Sequence, residues 1–288
     1  MENLNSFLLI SSVYNEEDYL DHTIKSVLKQ TVLPDLWIIV NDGSIDRTSD
    51  ILHLYESVSW IKIVHKEKSE SQFGENIVNN LNFGLKDIAL DNYNFIIKID
   101  GDLCFASDTY FEVLINNFLT NNKLGIASGI TFYRLKGKKI IASHPEWRTT
   151  GALKSYRMAC FKEIGGFIPI YGWDGIDDYK AMFRGWETRT FFNLEVEHLG
   201  KEKDLKRHND LGIFTLKGVS YYRRGYSVIF AILRGIKFQL ENGGFKGIAF
   251  LKGYFQSFMK NYPKVVSKEE QTFIRRFQRK RLFSSNSF

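Results

Sequence analysis

Phe95-Ile96-Ile97-Lys98-Ile99-Asp100-Gly101-Asp102 is an apolar run that stops at two carboxylates separated by one glycine. Such a run fits a buried strand, and in α/β sheets ligands collect at the carboxyl ends of the strands. Glycine lets the backbone turn closely enough for both acids to approach one ligand. Two such acids suit a hard divalent cation, Mg²⁺ or Mn²⁺, which takes oxygen ligands and shares them with phosphates. Asp-Gly-Asp is also ordinary turn chemistry, so its meaning depends on what flanks it.

Upstream, Phe7–Val13, Leu36–Val40 and Trp60–Val64 read as strands, and Asp18–Gln30, Asp46–Tyr55 and Asn76–Leu90 as helices behind them. With Asn94–Ile99 as the fourth strand, this alternation predicts an α/β fold: a mostly parallel, Rossmann-like central sheet flanked by helices, joined by right-handed crossovers. The ends of strands one, two and four then share an edge. Downstream, Asp108–Leu119 predicts a helix, and Leu124–Tyr133 with Lys139–Ala142 a hairpin over Lys136-Gly137-Lys138. Ala152–Ile164 reads as a helix closed by Gly165-Gly166, Tyr179–Arg184 as a short helix and Arg189–Val196 as a last strand. From about residue 217, apolar and aromatic residues alternate with Lys and Arg in a pattern of two or three helices.

The formal charge of +6 is unevenly spread. Residues 1–199 carry 20 Lys and Arg against 27 acids, a net of −7, whereas residues 200–288 carry 19 against 6, a net of +13. The basic character therefore belongs to the C-terminal third. Two cysteines, Cys104 and Cys160, are too few for a disulfide framework or a thiolate metal site. There is no Asn-x-Ser/Thr sequon, and Met1–Ser6 lacks a signal-peptide layout, so a cytoplasmic setting is expected. Val228–Leu233 is cut off by Arg234, well short of the ~20 residues that span a bilayer, and no transmembrane helix is expected.

Four acidic clusters follow predicted strand ends or open helices: Val13-Tyr14-Asn15-Glu16, Asn41-Asp42-Gly43-Ser44, Asp100-Gly101-Asp102 and Asp177-Asp178. Each alone has a structural alternative as a turn or helix cap. Together, Val-Tyr-Asn-Glu-Glu, Asn-Asp-Gly-Ser-Ile-Asp-Arg-Thr, Asp-Gly-Asp and Gly-Ile-Asp-Asp-Tyr-Lys-Ala-Met-Phe-Arg-Gly-Trp, in that order, resemble the glycosyltransferases of family 2, which have the glycosyltransferase A fold. The resemblance covers roughly residues 7–200.

It implies a metal-dependent, inverting transfer of sugar from a nucleotide-sugar donor, UDP- or GDP-linked, to a hydroxyl of a glycan or lipid-linked acceptor. A catalytic region over 1–200 is expected, with a nucleotide-sugar half to about 105 and an acceptor half over about 106–200; the charge shift alone sets the boundary to a basic, aromatic-rich helical region over 201–288. Carried over by position, Tyr14, Glu16, Asp42 and Asp100 line the nucleotide-sugar pocket. Asp102 binds Mn²⁺ or Mg²⁺, with Asp100 beside it. Asp177-Asp178 match the acidic pair whose second member is commonly the catalytic base, so Asp178 is expected to face the acceptor and Asp177 to cap the helix or hold an acceptor hydroxyl. Trp173 and Asp174 are candidate acceptor contacts, and His198, after the last predicted strand, a further metal ligand. A silent sugar-nucleotide or glycan-binding module of the same fold is the alternative.

The chain departs from the family pattern at Val13, where proline is usual, at Asn41, where aspartate is usual, and in Asn79–Gly84, which lacks a cation for the diphosphate. Residues 217–283 are expected to combine packing with a peripheral contact on an anionic membrane, at the inner face of the cell membrane. Nucleic acid is not expected as a partner, because no binding motif accompanies the charge.

Overall fold

A computed structural model describes residues 5–68, 75–200 and 210–283. Nine strands among these residues form one sheet in the order β3-β2-β1-β4-β8-β6-β9-β5, with β7 paired to β6. The strands are β1 Phe7–Val13, β2 Leu36–Asp42, β3 Ile61–Lys66, β4 Phe95–Ile99, β5 Leu103–Phe105, β6 Leu124–Leu135, β7 Lys138–Ile141, β8 Leu153–Arg157 and β9 Glu187–His198. β1 is parallel to β2 and β4, β2 to β3, and β6 to β9. The expected shared edge therefore exists, with the ends of β1, β2 and β4 side by side.

The middle strands are apolar on both faces because helices cover both. Phe7, Leu9 and Val13 of β1 pack with Leu20, Ile24 and Val27 of α1 (Leu20–Leu28) and with Phe111, Leu114 and Phe118 of α4 (Tyr110–Thr120). Leu8 and Ile10 face the other way, toward Val78 and Leu81 of α3 (Glu75–Leu85) and Ile164 of α5 (Met158–Ile164). A short α2 (Thr48–His53) follows β2, and α6 (Ile176–Phe183) follows a 3₁₀ turn over Trp173–Gly175.

The segment expected to be helical over Ala152–Ile164 begins instead as β8, which lies between β4 and β6 and is antiparallel to both. Within Leu153-Lys154-Ser155-Tyr156-Arg157 the charged Lys154, a residue that ordinarily faces solvent, is fully buried. Lys154 pairs across the sheet with Lys98, and Tyr156 with Ile96. Alternation with period two, hidden by a buried cation, decides the element.

Among the described residues, four helices rather than two or three follow β9: α7 Leu211–Arg223, α8 Val228–Asn242, α9 Lys246–Met259 and α10 Lys268–Phe283. Phe214 and Tyr222 of α7, Ala231 and Phe238 of α8, and Phe250 and Tyr254 of α9 form their own apolar cluster. Tyr226, Val266 and Ile274 join the cluster that covers one face of the main sheet. Residues 201–209, where the charge shift suggests a boundary, lie outside the described residues. None of the described helices is long and apolar enough to cross a membrane.

Candidate active site

The site is built at the carboxyl edge of β1, β2 and β4. The loops after β1 and β2 are clipped together: the Asn15 amide donates to Ser44 Oγ (3.0 Å), the Ile45 amide to Asn15 Oδ1 (3.0 Å) and the Glu16 amide to Thr48 Oγ1 (2.8 Å). Asn15 takes a left-handed conformation (φ 54°), which asparagine tolerates better than most residues. The loop that carries Tyr14 and Glu16 thus lies against the loop that follows Asp42. Lys66 donates to Asp42 Oδ1 (3.2 Å) and to Asn80 Oδ1 (2.8 Å), and Lys68 Nζ lies 2.9 Å over the Tyr14 ring. The cation missing from Asn79–Gly84 therefore has a counterpart at the end of β3. Lys66 lies beyond the Trp60–Val64 stretch that reads as a strand, where nothing in the pattern singles it out.

Gly101 is required by space. A Cβ there would meet Val13 Cγ1 at 2.8 Å and Glu16 Cγ at 3.4 Å, so a side chain would force Val13 or the Asp-Gly-Asp turn to shift. Thr23 Oγ1 donates to Gly101 O (2.8 Å), which ties the turn to α1. Asp100 is ion-paired to the buried Lys98, whose Nζ also donates to Gly151 O (2.9 Å) and lies 5.6 Å from the Trp173 ring. Trp173 is itself buried, packed edge-on against Phe167.

Asp102 and His198 are brought together by β5, which pairs antiparallel with β9 and sets Leu103 opposite His198. His198 Nε2 lies 3.0 Å from Asp102 Oδ2. Adjacent ligands of an octahedral cation with bonds of about 2.1 Å are separated by about 3.0 Å, so this oxygen and nitrogen fit one small divalent ion. Among the described residues there is no cluster of three or more His, Cys, Asp and Glu that could hold a metal. A site with two protein ligands suits an ion that completes its shell with substrate phosphate and water.

The acidic pair on the first turn of α6 is arranged differently from the expectation. Asp178 is fully buried: Thr149 donates to it from its hydroxyl (2.6 Å) and its amide (3.2 Å), and Lys154 Nζ lies 3.2 Å away. Asp177 accepts from Lys154 Nζ (2.5 Å), from Tyr156 Oη (2.5 Å) and from the first-turn amide of Asp178 (2.9 Å), while Gly175 holds the N-cap position. Both oxygens of Asp178 are therefore committed to partners inside the protein. Burial, reinforced by Asp177 and opposed by Lys154, raises the Asp178 carboxyl from 3.8 to about 6. Burial works against the charge of Lys154, but Asp177, Asp178 and Asp174 outweigh it and push its pKa up.

Asp174, by contrast, is only half-buried and lines a cavity of about 840 Å³. A Cβ on Gly151 would lie 2.5 Å from Asp174 Oδ2, so that glycine makes room for the carboxylate. The Asp174 carbonyl accepts from Lys154 Nζ, which fixes the backbone that carries it. Lys98 and Lys154, neighbours across β4 and β8, therefore anchor acids of both halves of the site. A lysine inside an otherwise apolar strand and two residues before an acid was the available signal for Lys98.

The fold and this two-ended acidic edge define a glycosyltransferase A-type protein. Over 92% of this chain it superposes on S. aureus TarS 1-349 in complex with UDP, covering 95% of that chain (TM-score 0.55, 14% identity). It also matches the mannosyltransferase PcManGT from Pyrobaculum calidifontis in complex with GDP-Man and Mn²⁺ (TM-score 0.58, 12% identity, 96% of this chain and 81% of that one). Residues 9–186 match the glycosyl transferase family 2 model, and the chain belongs to that family. A curated relative, the poly-beta-1,6-N-acetyl-D-glucosamine synthase of Staphylococcus epidermidis, is 32% identical over 124 residues, 43% of this chain. The chain spans about a quarter of that relative's length, 27%.

Proposed function

We propose that the protein transfers a sugar, with inversion, from a nucleotide-sugar donor to a hydroxyl of a glycan or lipid-linked acceptor. The observation that carries this reading is the pairing of Asp102 with His198 at one end of the edge and the accessible Asp174 at the other. Tyr14, Glu16 and Asp42 bind the base and ribose of a UDP- or GDP-sugar, with Asp100 toward the ribose. Complexes of two solved structures of this fold with UDP and with GDP-Man and Mn²⁺ support that donor class. Asp102 and His198, with Asp100 beside them, would hold Mn²⁺ or Mg²⁺, which when bound stabilises the charge of the leaving diphosphate as a Lewis acid.

Asp174 replaces Asp178 as the proposed base. It takes the proton of the acceptor hydroxyl as the oxygen bonds to the anomeric carbon, while the bond to the diphosphate oxygen breaks on the opposite face. A sugar hydroxyl is a poor nucleophile without such help, which is worth on the order of 10²–10⁴ in rate. Asp177 and Asp178 hold the first turn of α6 through Lys154, Tyr156 and Thr149, and so keep Asp174 in position. Trp173 backs the site from a buried position.

The test is a panel of UDP- and GDP-sugars scored for Mn²⁺- or Mg²⁺-dependent binding, hydrolysis and transfer. Asp102→Ala should lose metal-dependent donor binding. Asp174→Asn should keep it and lose transfer by about 10²–10⁴. The reading is overturned if no donor binds in a metal-dependent way, or if Asp174→Asn transfers at the wild-type rate.

A further inference from the structure

The cavity lined by Asp174 is not neutral ground. Its walls come from residues 143–148, residues 171–175 and three C-terminal helices, and they carry Arg148, Lys217, Arg224, Arg234, Lys237 and Arg281 against the single carboxylate of Asp174. Among the described residues, none of Arg148, Lys217, Arg224 or Arg234 takes part in an ion pair. Arg234 Nε is enclosed without a hydrogen-bond partner. Arg224 is buried and turns toward backbone carbonyls of Ser220 and Gly172. Enclosed cations of one sign are costly unless something anionic joins them.

We infer that this cavity is the acceptor subsite and that the acceptor it takes carries phosphate. The inference rests on the transferase reading above and deepens it. Guanidinium groups match phosphate oxygens in bidentate fashion, and several converging cations suit a group of charge near −2 better than a single carboxylate. The aromatic side chains of Trp147, Tyr171 and Tyr179 offer apolar faces to the polyol or sugar that bears the phosphate. Connectivity ties the subsite to the proposed base: Gly175 lies against Arg224, where a Cβ would be 2.9 Å from Nη1, and directly follows Asp174. Arg148 directly precedes Thr149, which anchors α6 through Asp178. A local excess of positive potential is consistent with Tyr221: burial raises its phenol, yet Arg234, Arg224 and Arg148 pull it below the ordinary value.

The phosphate can belong to a soluble polyol phosphate or to a membrane-presented lipid phosphate, and two arms of one experiment separate these sources. In the first, the full chain is titrated calorimetrically with glycerol 3-phosphate, glycerol and glucuronate. In the second, it is floated with phosphatidylcholine vesicles with and without polyprenyl phosphate. Phosphate-dependent binding in the first arm assigns a soluble acceptor, and in the second alone a lipid-linked one. In the arm that binds, Arg148→Gln and Arg234→Gln should each weaken affinity about tenfold, and Lys217→Gln provides a third variant should either misfold. The proposal is overturned by binding in neither arm, by equal affinity for glycerol or tighter binding of glucuronate, or by folded variants with unchanged affinity. Full displacement of the phosphate probe by UDP with Mg²⁺ would also overturn it, because the anion would then occupy the donor end. Nucleotide-sugar binding by the wild-type chain is measured separately, so failure of the donor reading and failure of the phosphate subsite are distinguishable.

Discussion

At the scale of single residues, the site turns on how three acids share one lysine. Lys154 Nζ meets Asp177 and Asp178 side chains and the Asp174 carbonyl, so only the Asp174 carboxylate is left toward the cavity. The buried Asp178 has a consequence for pH. Its carboxyl is raised from 3.8 to about 6, chiefly by burial, so the native state holds its proton more tightly than the unfolded chain does. Its contribution to stability is then fully present below about pH 4, declines as pH rises toward about 6, and is constant above that. Asparagine at this position does not titrate. Urea unfolding should therefore show wild-type stability falling relative to Asp178→Asn between about pH 4 and pH 6, by on the order of 2–3 kcal/mol, with the difference level above pH 6. A difference that is flat across the whole range, or that grows in favour of the wild type, would count against this account. The acids themselves were legible from order and context. Their orientation was not, because adjacency in sequence says nothing of which carboxylate meets Thr149 and Lys154, residues far along the chain.

At the scale of elements, the parallel half was legible because its strands are continuously apolar and end in polar loops, as Phe7–Val13 and Phe95–Ile99 do. β8 was misread because charge at Lys154 disguised a strand buried on both faces. The basic helices combine packed and exposed apolar side chains. α8 turns Ala231, Gly235 and Phe238 inward and leaves Ile229, Leu233, Ile236 and Leu240 outside, Leu240 being 81% exposed. Phe245 and Ile248, just beyond α8 in the chain, are exposed as well, and Lys237 lies on α8 itself. A stripe with apolar residues at helical spacing beside cations suits a bilayer containing anionic lipid. We therefore expect the protein to float with phosphatidylglycerol-containing vesicles, and Ile236→Glu with Leu240→Glu to reduce the bound fraction at least about tenfold. Because both side chains already face solvent, the melting temperature should stay within a few degrees. Equal flotation of the double variant would remove α8 as the membrane-facing element.

At the scale of the whole molecule, the charge asymmetry and the packing of the C-terminal helices answer one another. The first two thirds, net negative, supply the acids of the proposed donor edge, and the basic third supplies one wall of the cavity around Asp174. That wall is fastened to the sheet layer. Glu270 of α10 pairs with Arg184 at the end of α6 (2.8 Å), and Phe277 packs against Trp147 and Tyr179. Val266 and Ile274 are buried in the cluster that contains Ile176 and Tyr156. Removing residues 217–288 would strip that cluster of several side chains, each worth about 1.5–3 kcal/mol of burial, so truncation should cost much of a typical domain's 5–15 kcal/mol of stability. We expect the truncated chain to melt at least about 10 °C lower or to be recovered as aggregate, whereas Asp102→Ala should melt near the wild type. A truncated chain that melts as the wild type does would show that the helices are only appended. Nucleotide with Mn²⁺ adds a check on the donor end that does not depend on the helices. Present at about 100 times its dissociation constant, it should stabilise the full chain by about 2.7 kcal/mol and leave Asp102→Ala nearly unmoved, because binding to the native state alone shifts unfolding by mass action.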